Sequence, residues 1–92
     1  MSRFVWDPEK ARVNLAKHGV SFEEAESATA HPLAIEEYDI EHSSPQDRLR
    51  VTGWSSMDRL IVVILSISPP PGRVISARRA TKRERHAYEA RR

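Results

Sequence analysis

Residues 60–67 are apolar at almost every position, and this run constrains the fold more than any other feature of the chain. A strand that is apolar at successive positions has both of its faces covered, so we expect it in the middle of a sheet. The run is also the longest apolar stretch, and it is far shorter than the roughly 20 residues that span a bilayer as a helix. The chain therefore predicts a sheet-containing globular protein without a membrane span.

The preceding segment, Arg48–Trp54, has two different faces. Leu49 and Val51 occupy alternate positions, so their side chains point to one side of a strand. The side chains on the other side are Arg48, Arg50, Thr52 and Trp54. This pattern predicts a strand with one dry face and one basic face.

Helix signals come first in the chain. Asp7 followed by Pro8 is typical of a helix start, with the aspartate as N-cap and the proline at the first helical position. This helix should end near His18, where Gly19 supplies the left-handed stop. Ser21 and Glu24 have the spacing of a capping box and predict a second helix that continues to about residue 30.

The remaining elements complete an α+β order. Residues 33–40 are extended and edge-like, residues 42–45 form a turn, and the proline-rich residues 68–72 form a stiff connection. Arg73–Arg79 is a further strand, and Thr81 with Glu84 forms a capping box before a last helix. We therefore expect one domain over residues 1–92, with two N-terminal helices, a four-stranded antiparallel sheet and a C-terminal helix. The helices are expected on one face of the sheet.

Charge is distributed unequally along the chain. Residues 1–46 carry 4 basic and 9 acidic side chains, a net charge of −5. Residues 47–92 carry 11 basic and 4 acidic side chains, a net charge of +7. The last twenty residues hold eight Arg or Lys against two Glu. A cationic end next to a buried strand favours a nucleic-acid or acidic partner.

Composition excludes several function classes. The chain has no cysteine, so disulfides, thiolate metal sites and a cysteine nucleophile are absent. No two histidines have the spacing of a metal-binding motif, and we expect neither a metal nor another cofactor. The N-terminus lacks an apolar core of signal-peptide length, which predicts a cytoplasmic location.

The basic residues suggest a phosphate clamp. Arg48 and Arg50 lie about 7 Å apart on one face of a strand, near the spacing of successive phosphates along a nucleic-acid strand. Trp54 on the same face is suited to stacking on an unpaired base, although it is equally suited to packing beneath a helix. Arg78 and Arg79 point to opposite faces, so only one of them joins this surface, and the strand register decides which.

The last helix supplies candidates for proton transfer. Glu84 among arginines is ionised at neutral pH and is a candidate base, while its capping-box role is the simpler explanation. Of the four histidines, His86 is the best candidate proton carrier. Lys82 and Arg85, together with Arg79, add basic side chains suited to a nucleic acid. Tyr88 is interpreted as a partly buried anchor.

Several motifs resemble the BrnT family of toxins. They are Trp6-Asp7 with Lys10 and Asn14, residues 17–25 (KHGVSFEEA), residues 75–81 (ISARRAT), Glu84-Arg85 and Tyr88-Glu89. The resemblance covers nearly the whole chain. BrnT proteins are similar to the RelE-like ribonuclease toxins of type II toxin–antitoxin systems, and the fold that this implies matches the order of elements given above.

The resemblance implies a function and partners. It implies metal-independent RNA cleavage, in which the ribose 2′-oxygen attacks the adjacent phosphate and arginines stabilise the added charge. Arg48 and Arg78 match basic residues of the family, and Glu84 and Arg85 match its C-terminal pair. It also implies a BrnA-like antitoxin with a ribbon-helix-helix domain, which neutralises the toxin and, with it, represses their operon. Two departures are Trp54, where a basic or small polar residue is usual, and the prolines of residues 68–72.

The sequence thus favours an endoribonuclease toxin that uses Arg48, Arg50 and Arg78 as a clamp and Glu84 or His86 for proton transfer. Arg79, Lys82 and Arg85 are expected to bind its RNA. The main alternative is a non-enzymatic module whose basic face binds an acidic segment or nucleic acid. A DNA-binding regulator acting alone is disfavoured, because no helix has the base-reading surface of a helix-turn-helix motif.

Overall fold

The structure, a computed structural model, describes residues 3–38 and 47–91. Its elements follow in the order α1 (Pro8–His18), α2 (Phe22–Thr29), β1 (Ile35–Tyr38), β2 (Arg48–Trp54), β3 (Leu60–Ser66), β4 (Arg73–Arg79) and α3 (Lys82–Arg91). The strands form one antiparallel sheet in the order β1-β2-β3-β4. The predicted α+β order is confirmed. The predicted turn at residues 42–45 and the predicted extended positions 39 and 40 lie outside the described residues.

The ends of α1 are set by the residues that the sequence indicated. The Asp7 side chain accepts a hydrogen bond of 2.9 Å from the amide of Glu9, and Pro8 occupies the first turn. At the other end Gly19 has φ of 70°, a left-handed conformation that favours glycine, and its amide donates to the carbonyl of Leu15. This cap turns the chain toward α2.

One face of the sheet, which we call the core face, is apolar and packs against α1 and α2. Its residues are Leu49, Val51, Gly53, Ile61, Val63, Leu65, Val74 and Ala77. Phe22 and Ala28 of α2 are fully buried against it. Gly53 is required here because a Cβ atom at that position would lie 2.4 Å from the carbonyl oxygen of Ala28. The close approach of α2 to β2 therefore depends on glycine.

The opposite face, which we call the basic face, carries the alternate residues of the same strands. They are Arg48, Arg50, Thr52, Trp54, Val62, Ile64, Arg73, Ser76 and Arg78. Helix α3 lies over this face, where Tyr88 lines a cavity with Ile35 and Thr52. The expectation that all helices pack on one face is therefore wrong. The apolar residues of β3 at positions 60, 62 and 64 explain the outcome, because they need a second cover.

The outer edge of β4 is closed by α1 and by the N-terminal segment. Val5 forms a parallel bridge with Arg73, and the side chain of Asn14 donates to the Ala77 carbonyl at 2.8 Å and accepts from the Ala77 amide at 3.2 Å. Asn14 also donates to the carbonyl of Val20. The buried side-chain amide of Asn14 thus makes the hydrogen bonds that a neighbouring strand would make to Ala77. This protects the edge of β4 from pairing with another chain.

A buried ion pair joins α2 to the turn between β2 and β3. Glu24 is only 4% exposed, and its carboxylate accepts from two nitrogens of Arg59 and from the hydroxyl of Ser55. The Ser21 hydroxyl accepts from the amide of Glu24, as the capping box predicts. The reciprocal half of that box is not formed within the described residues, because Arg59 and Ser55 occupy the carboxylate.

Candidate functional site

The central feature of the basic face is a two-point ion pair between β4 and α3. The guanidinium of Arg78 donates to both carboxylate oxygens of Glu84, at 2.7 and 2.8 Å. Glu84 also accepts from the amide of Thr81 at 2.9 Å, and its own amide donates to the Thr81 hydroxyl at 3.1 Å. The capping box at the start of α3 is therefore complete. It fixes the glutamate, and the glutamate in turn orients Arg78.

This arrangement changes the acid–base properties of Glu84. The hydrogen bonds from Arg78, with help from Thr81, lower the pKa of Glu84 to about 2, although partial burial opposes the shift. The same contact raises the pKa of Arg78. A carboxylate with so low a pKa is a weak base at neutral pH while the pair is intact.

Arg50 lines the cavity between α3 and the sheet. Glu37 of β1 pairs with Arg50 at 3.4 Å and with Arg91 at 2.7 Å. The cavity has a volume of about 80 Å³ and is lined by Ile35, Glu37, Arg50, Thr52, Glu84, Ala87, Tyr88 and Arg91. Arg50 and the Glu84 end of the ion pair thus share one small cleft, and a side chain from each of three elements contributes to its charge.

Two aromatic residues connect α3 to the basic face in different ways. The guanidinium of Arg85 lies over the indole of Trp54, 5.0 Å from the ring centroid, and Trp54 is half-buried. The hydroxyl of Tyr88 donates to the carbonyl of Leu33 at 3.0 Å, and Tyr88 is 3% exposed. Tyr88 is therefore the apolar anchor of α3, while Trp54 and Arg85 form a stacked pair at the rim.

Arg48 lies apart from this cleft. The register pairs Arg48 with Ser66 and Arg78 with Val62, so the two arginines are two strands and four positions apart, about 17 Å between Cα atoms. By the same reasoning Arg50 and Arg78 are about 12 Å apart. Arg48 instead lines a separate groove with Lys10 and Arg73. The three arginines share a face, as predicted, but only Arg50 and Arg78 lie beside the same cleft.

The register also answers the question that the sequence left open for Arg78 and Arg79. Arg78 lies on the basic face, and Arg79 pairs with Ile61 on the core face. The charge of Arg79 acts instead on Glu24, whose pKa is lowered first by Arg59 and to a lesser degree by Ser55 and Arg79. Arg79 is thus directed away from the expected RNA surface.

The remaining predicted residues are exposed on α3. Lys82 and His86 are both solvent-accessible. His86 follows Glu84 by two positions, which places it about 200° around the helix and away from the Arg78 pair. Neither side chain lines the cleft. The sequence did not indicate that Glu37 and Arg91 line the cleft. The one available signal was that Glu37 interrupts the apolar pattern of β1.

Within residues 3–38 and 47–91, no group of three or more histidine, aspartate or glutamate side chains is arranged to hold a metal ion. None of the helices in the same part of the chain has the length and apolarity needed to cross a membrane.

Comparison with known proteins identifies the family. A family model described as "Ribonuclease toxin, BrnT, of type II toxin-antitoxin system" matches residues 6–84. The chain belongs to the BrnT family. A crystal structure of the Brucella abortus ribonuclease toxin BrnT is similar over 86% of this chain and 96% of that one, with 30% sequence identity and a TM-score of 0.54. No curated protein matches the chain.

The BrnT match contains the fold from α1 to the first turn of α3. Arg48, Arg50, Arg78 and Glu84 all lie inside it, whereas Arg85 and the rest of α3 lie beyond its end. Membership of the BrnT family assigns the chain to the ribonuclease toxins of type II systems, for which RNA is the substrate and an antitoxin the partner.

Proposed function

We propose that this protein is an endoribonuclease that cleaves RNA at the basic face without a metal ion, in the manner of RelE-like toxins, and thereby inhibits translation and growth in the cytoplasm. The observation that carries the proposal is the fixed position of Arg78. Its guanidinium is held at two points by Glu84, on a strand, beside the cleft that Arg50 lines. Arginine placed in this way is suited to exchanging the carboxylate for a phosphate, which it then binds through the same paired hydrogen bonds.

The chemistry requires only positioning, charge stabilisation and proton transfer. The ribose 2′-oxygen forms a bond to the adjacent phosphorus, and the bond from phosphorus to the 5′-oxygen of the next nucleotide breaks. The 2′-hydroxyl loses a proton and the leaving oxygen gains one, so the products carry a 2′,3′-cyclic phosphate and a 5′-hydroxyl. Arg50 and Arg78 stabilise the extra negative charge on the phosphorane, and removal of one such donor costs about 10²–10³-fold in rate.

Glu84 has two successive roles in this proposal. In the free protein it holds Arg78, and its low pKa keeps it ionised. When the substrate phosphate takes over the Arg78 guanidinium, the carboxylate loses its main stabilising partner and its pKa rises toward the ordinary value for glutamate. It then accepts the 2′-hydroxyl proton. His86, on the far side of α3, is the weaker candidate for this step.

The antitoxin is proposed to be BrnA-like, with a ribbon-helix-helix domain. It would cover the basic face and bring the complex to operator DNA, which the toxin alone does not bind. A mobility-shift assay checks this: operator DNA should shift with the antitoxin and with the complex, and a shift by the toxin alone at equal concentration contradicts it.

Cleavage is tested with purified protein and total RNA in EDTA. The wild type should produce fragments that end in a 2′,3′-cyclic phosphate, and a double variant, Arg48→Ala with Arg78→Ala, should not. The single variants separate the two arginines, since Arg78→Ala should lose about 10²–10³-fold in rate. Lys17→Ala, which removes an exposed charge of α1, is the matched control and should cleave at the wild-type rate.

Two outcomes would contradict the proposal. Cleavage that needs added divalent metal removes the metal-independent mechanism. RNA binding without any cleavage supports the non-enzymatic binding module instead.

A further inference from the structure

A second basic cluster lies at the end of the basic face that is remote from Arg78. Lys10 of α1, Arg48 of β2 and Arg73 of β4 line one groove with a volume of about 440 Å³. The other lining residues are Val5, Ser66, Ser68, Pro69, Pro70, Pro71 and Ile75. Three elements that are distant in sequence therefore direct cationic side chains into one concave surface.

The charges of this groove are not neutralised within the described part of the chain. No acidic residue is among its lining residues, and Lys10, Arg48 and Arg73 form no ion pair with any described side chain. This contrasts with Arg78 and Arg50, each of which has a glutamate partner. Unpaired guanidinium and ammonium groups that converge in a groove are an anion-binding arrangement.

The wall of the groove is stiff and apolar. Pro69, Pro70 and Pro71 lack backbone donors and have restricted φ, so the wall loses little conformational freedom when a ligand binds. Apolar walls also lower the local dielectric and strengthen the attraction between the cations and an anion. The proline segment, which the sequence indicated to be a stiff connection and a departure from the family, thus lies beside the cations.

The strand geometry links this groove to the cleft. Arg48 and Arg73 both pair with Ser66, so they stand about 10 Å apart on the same face. Arg50 follows Arg48 by about 7 Å along β2, near the spacing of successive phosphates. A nucleic-acid strand that enters at Arg78 and Arg50 therefore reaches the groove within two or three nucleotides.

We propose that the groove of Lys10, Arg48 and Arg73 is a second RNA-binding site, which holds backbone phosphates of the substrate two or three nucleotides from the scissile one. The inference rests on the proposed function in taking RNA as the occupant of the basic face. It assigns Arg48 to substrate binding rather than to the reacting phosphate. Because phosphates are common to all RNA, the groove confers affinity for longer RNA without base preference.

The test measures binding of an eight-nucleotide RNA with 2′-O-methyl riboses, which cannot be cleaved, by fluorescence anisotropy over a range of KCl concentrations. The groove variant combines Lys10→Gln with Arg73→Gln. We expect the affinity to fall about tenfold. The slope of log K against log salt concentration should become shallower by about 1.4, because two phosphate contacts are removed. A dinucleotide analogue, which reaches only the cleft, should bind both proteins equally.

The matched control combines Arg12→Gln with Lys17→Gln. It removes two charges from α1 outside the groove and should keep the wild-type slope. Thermal melting checks that each variant is folded, and Arg48→Gln with Arg73→Gln provides a second groove variant if Lys10 proves to be needed for folding. Unchanged affinity and slope in folded groove variants would overturn the inference.

The outcomes also separate this inference from the proposed function. If the wild type cleaves RNA but the groove variant binds the octamer normally, only the groove assignment fails. If nothing is cleaved but the groove variant loses octamer binding, the groove stands and the nuclease proposal fails. If the variant loses binding to a polyglutamate peptide but keeps full RNA affinity, the groove belongs to an acidic protein partner and the inference is overturned.

Discussion

Helices α2 and α3 each have in their first turn a glutamate that binds an arginine, yet the two pairs lie on opposite faces of the sheet and in different surroundings. Glu24 is buried on the core face, and both Arg59 and Ser55 bind its carboxylate. Glu84 is on the basic face with 26% of its side chain exposed, and its partner Arg78 has 41% of its side chain exposed. The same local signal, a capping glutamate, therefore leads to a structural pair in one place and an accessible pair in the other.

The difference follows from what each face covers. The core face is sealed by two helices and contains the apolar cluster, so a charge there must be fully paired. The basic face is covered by α3, whose one buried residue is Tyr88 and whose contacts to the sheet include two ion pairs and a cation–π pair. Water reaches these contacts. Under the proposed function a phosphate of the RNA replaces Glu84 as the partner of Arg78, and the basic face is the one that binds the substrate.

The largest expected effect is on the buried pair. Arg59→Ala leaves the buried Glu24 carboxylate with the Ser55 hydroxyl but without its guanidinium partner, and should lower the free energy of unfolding several-fold more than Arg78→Ala does. Arg78→Ala should cost only about 1 kcal/mol, because Glu84 keeps its Thr81 bonds and is open to water. Urea denaturation of both variants measures the difference. Equal losses would remove the distinction between the two pairs.

The two tryptophans provide the next comparison. Trp6 packs edge-on against Phe22, with ring centroids 5.8 Å apart, so Trp6→Ala should cost about 2 kcal/mol of stability and leave RNA affinity unchanged per folded molecule. Trp54→Ala should instead weaken binding of uncleavable RNA by about 1–3 kcal/mol. Melting curves and anisotropy titrations measure the two effects. Loss of RNA affinity with Trp6→Ala alone would reverse the assignment of the faces.

The smallest expected effect is on acid stability. Both glutamates have pKa values below those of the unfolded chain, so their stabilisation is present above about pH 4.5 and is lost as the pH falls through the folded-state value, about 2 for Glu84. Between about pH 5 and pH 2, the free energy of unfolding of Glu84→Gln should fall by roughly 1–2 kcal/mol less than that of the wild type. Denaturation at several pH values measures the slope. An unchanged slope means that the Arg78 pair contributes nothing to acid stability.

Much of the fold was predictable because its signals are local. Asp7 and Gly19 bound α1, the alternation of Arg48–Trp54 separates the two faces, and Thr81 with Glu84 starts α3, as the sequence indicates. Each of these depends on residues within a few positions of one another. The side of the sheet on which α3 packs depends instead on contacts between distant segments, and the prediction that all helices share one face was wrong.

The site was predictable only in part, because its geometry depends on register. The sequence placed Arg48, Arg50 and one of Arg78 and Arg79 on a common face. The sequence could not decide which of Arg78 and Arg79 lies on that face. The outcome depends on an irregularity in the β3–β4 pairing between Ile64 and Leu65, which shifts the register by one residue. The separation of Arg48 from Arg78, and the partnership of Glu37 with Arg50 and Arg91, also required the positions of elements that are distant in sequence.

The amino-acid sequence by itself determined the order of the elements, the central strand and the presence of one apolar and one basic side on the sheet, because hydrophobic periodicity and capping act over a few residues. Only the tertiary structure decided which arginines share a cleft, which glutamate is buried and which is accessible, and where the proline segment lies. Those outcomes depend on strand register and on the packing of α3, which are set by contacts between segments tens of residues apart.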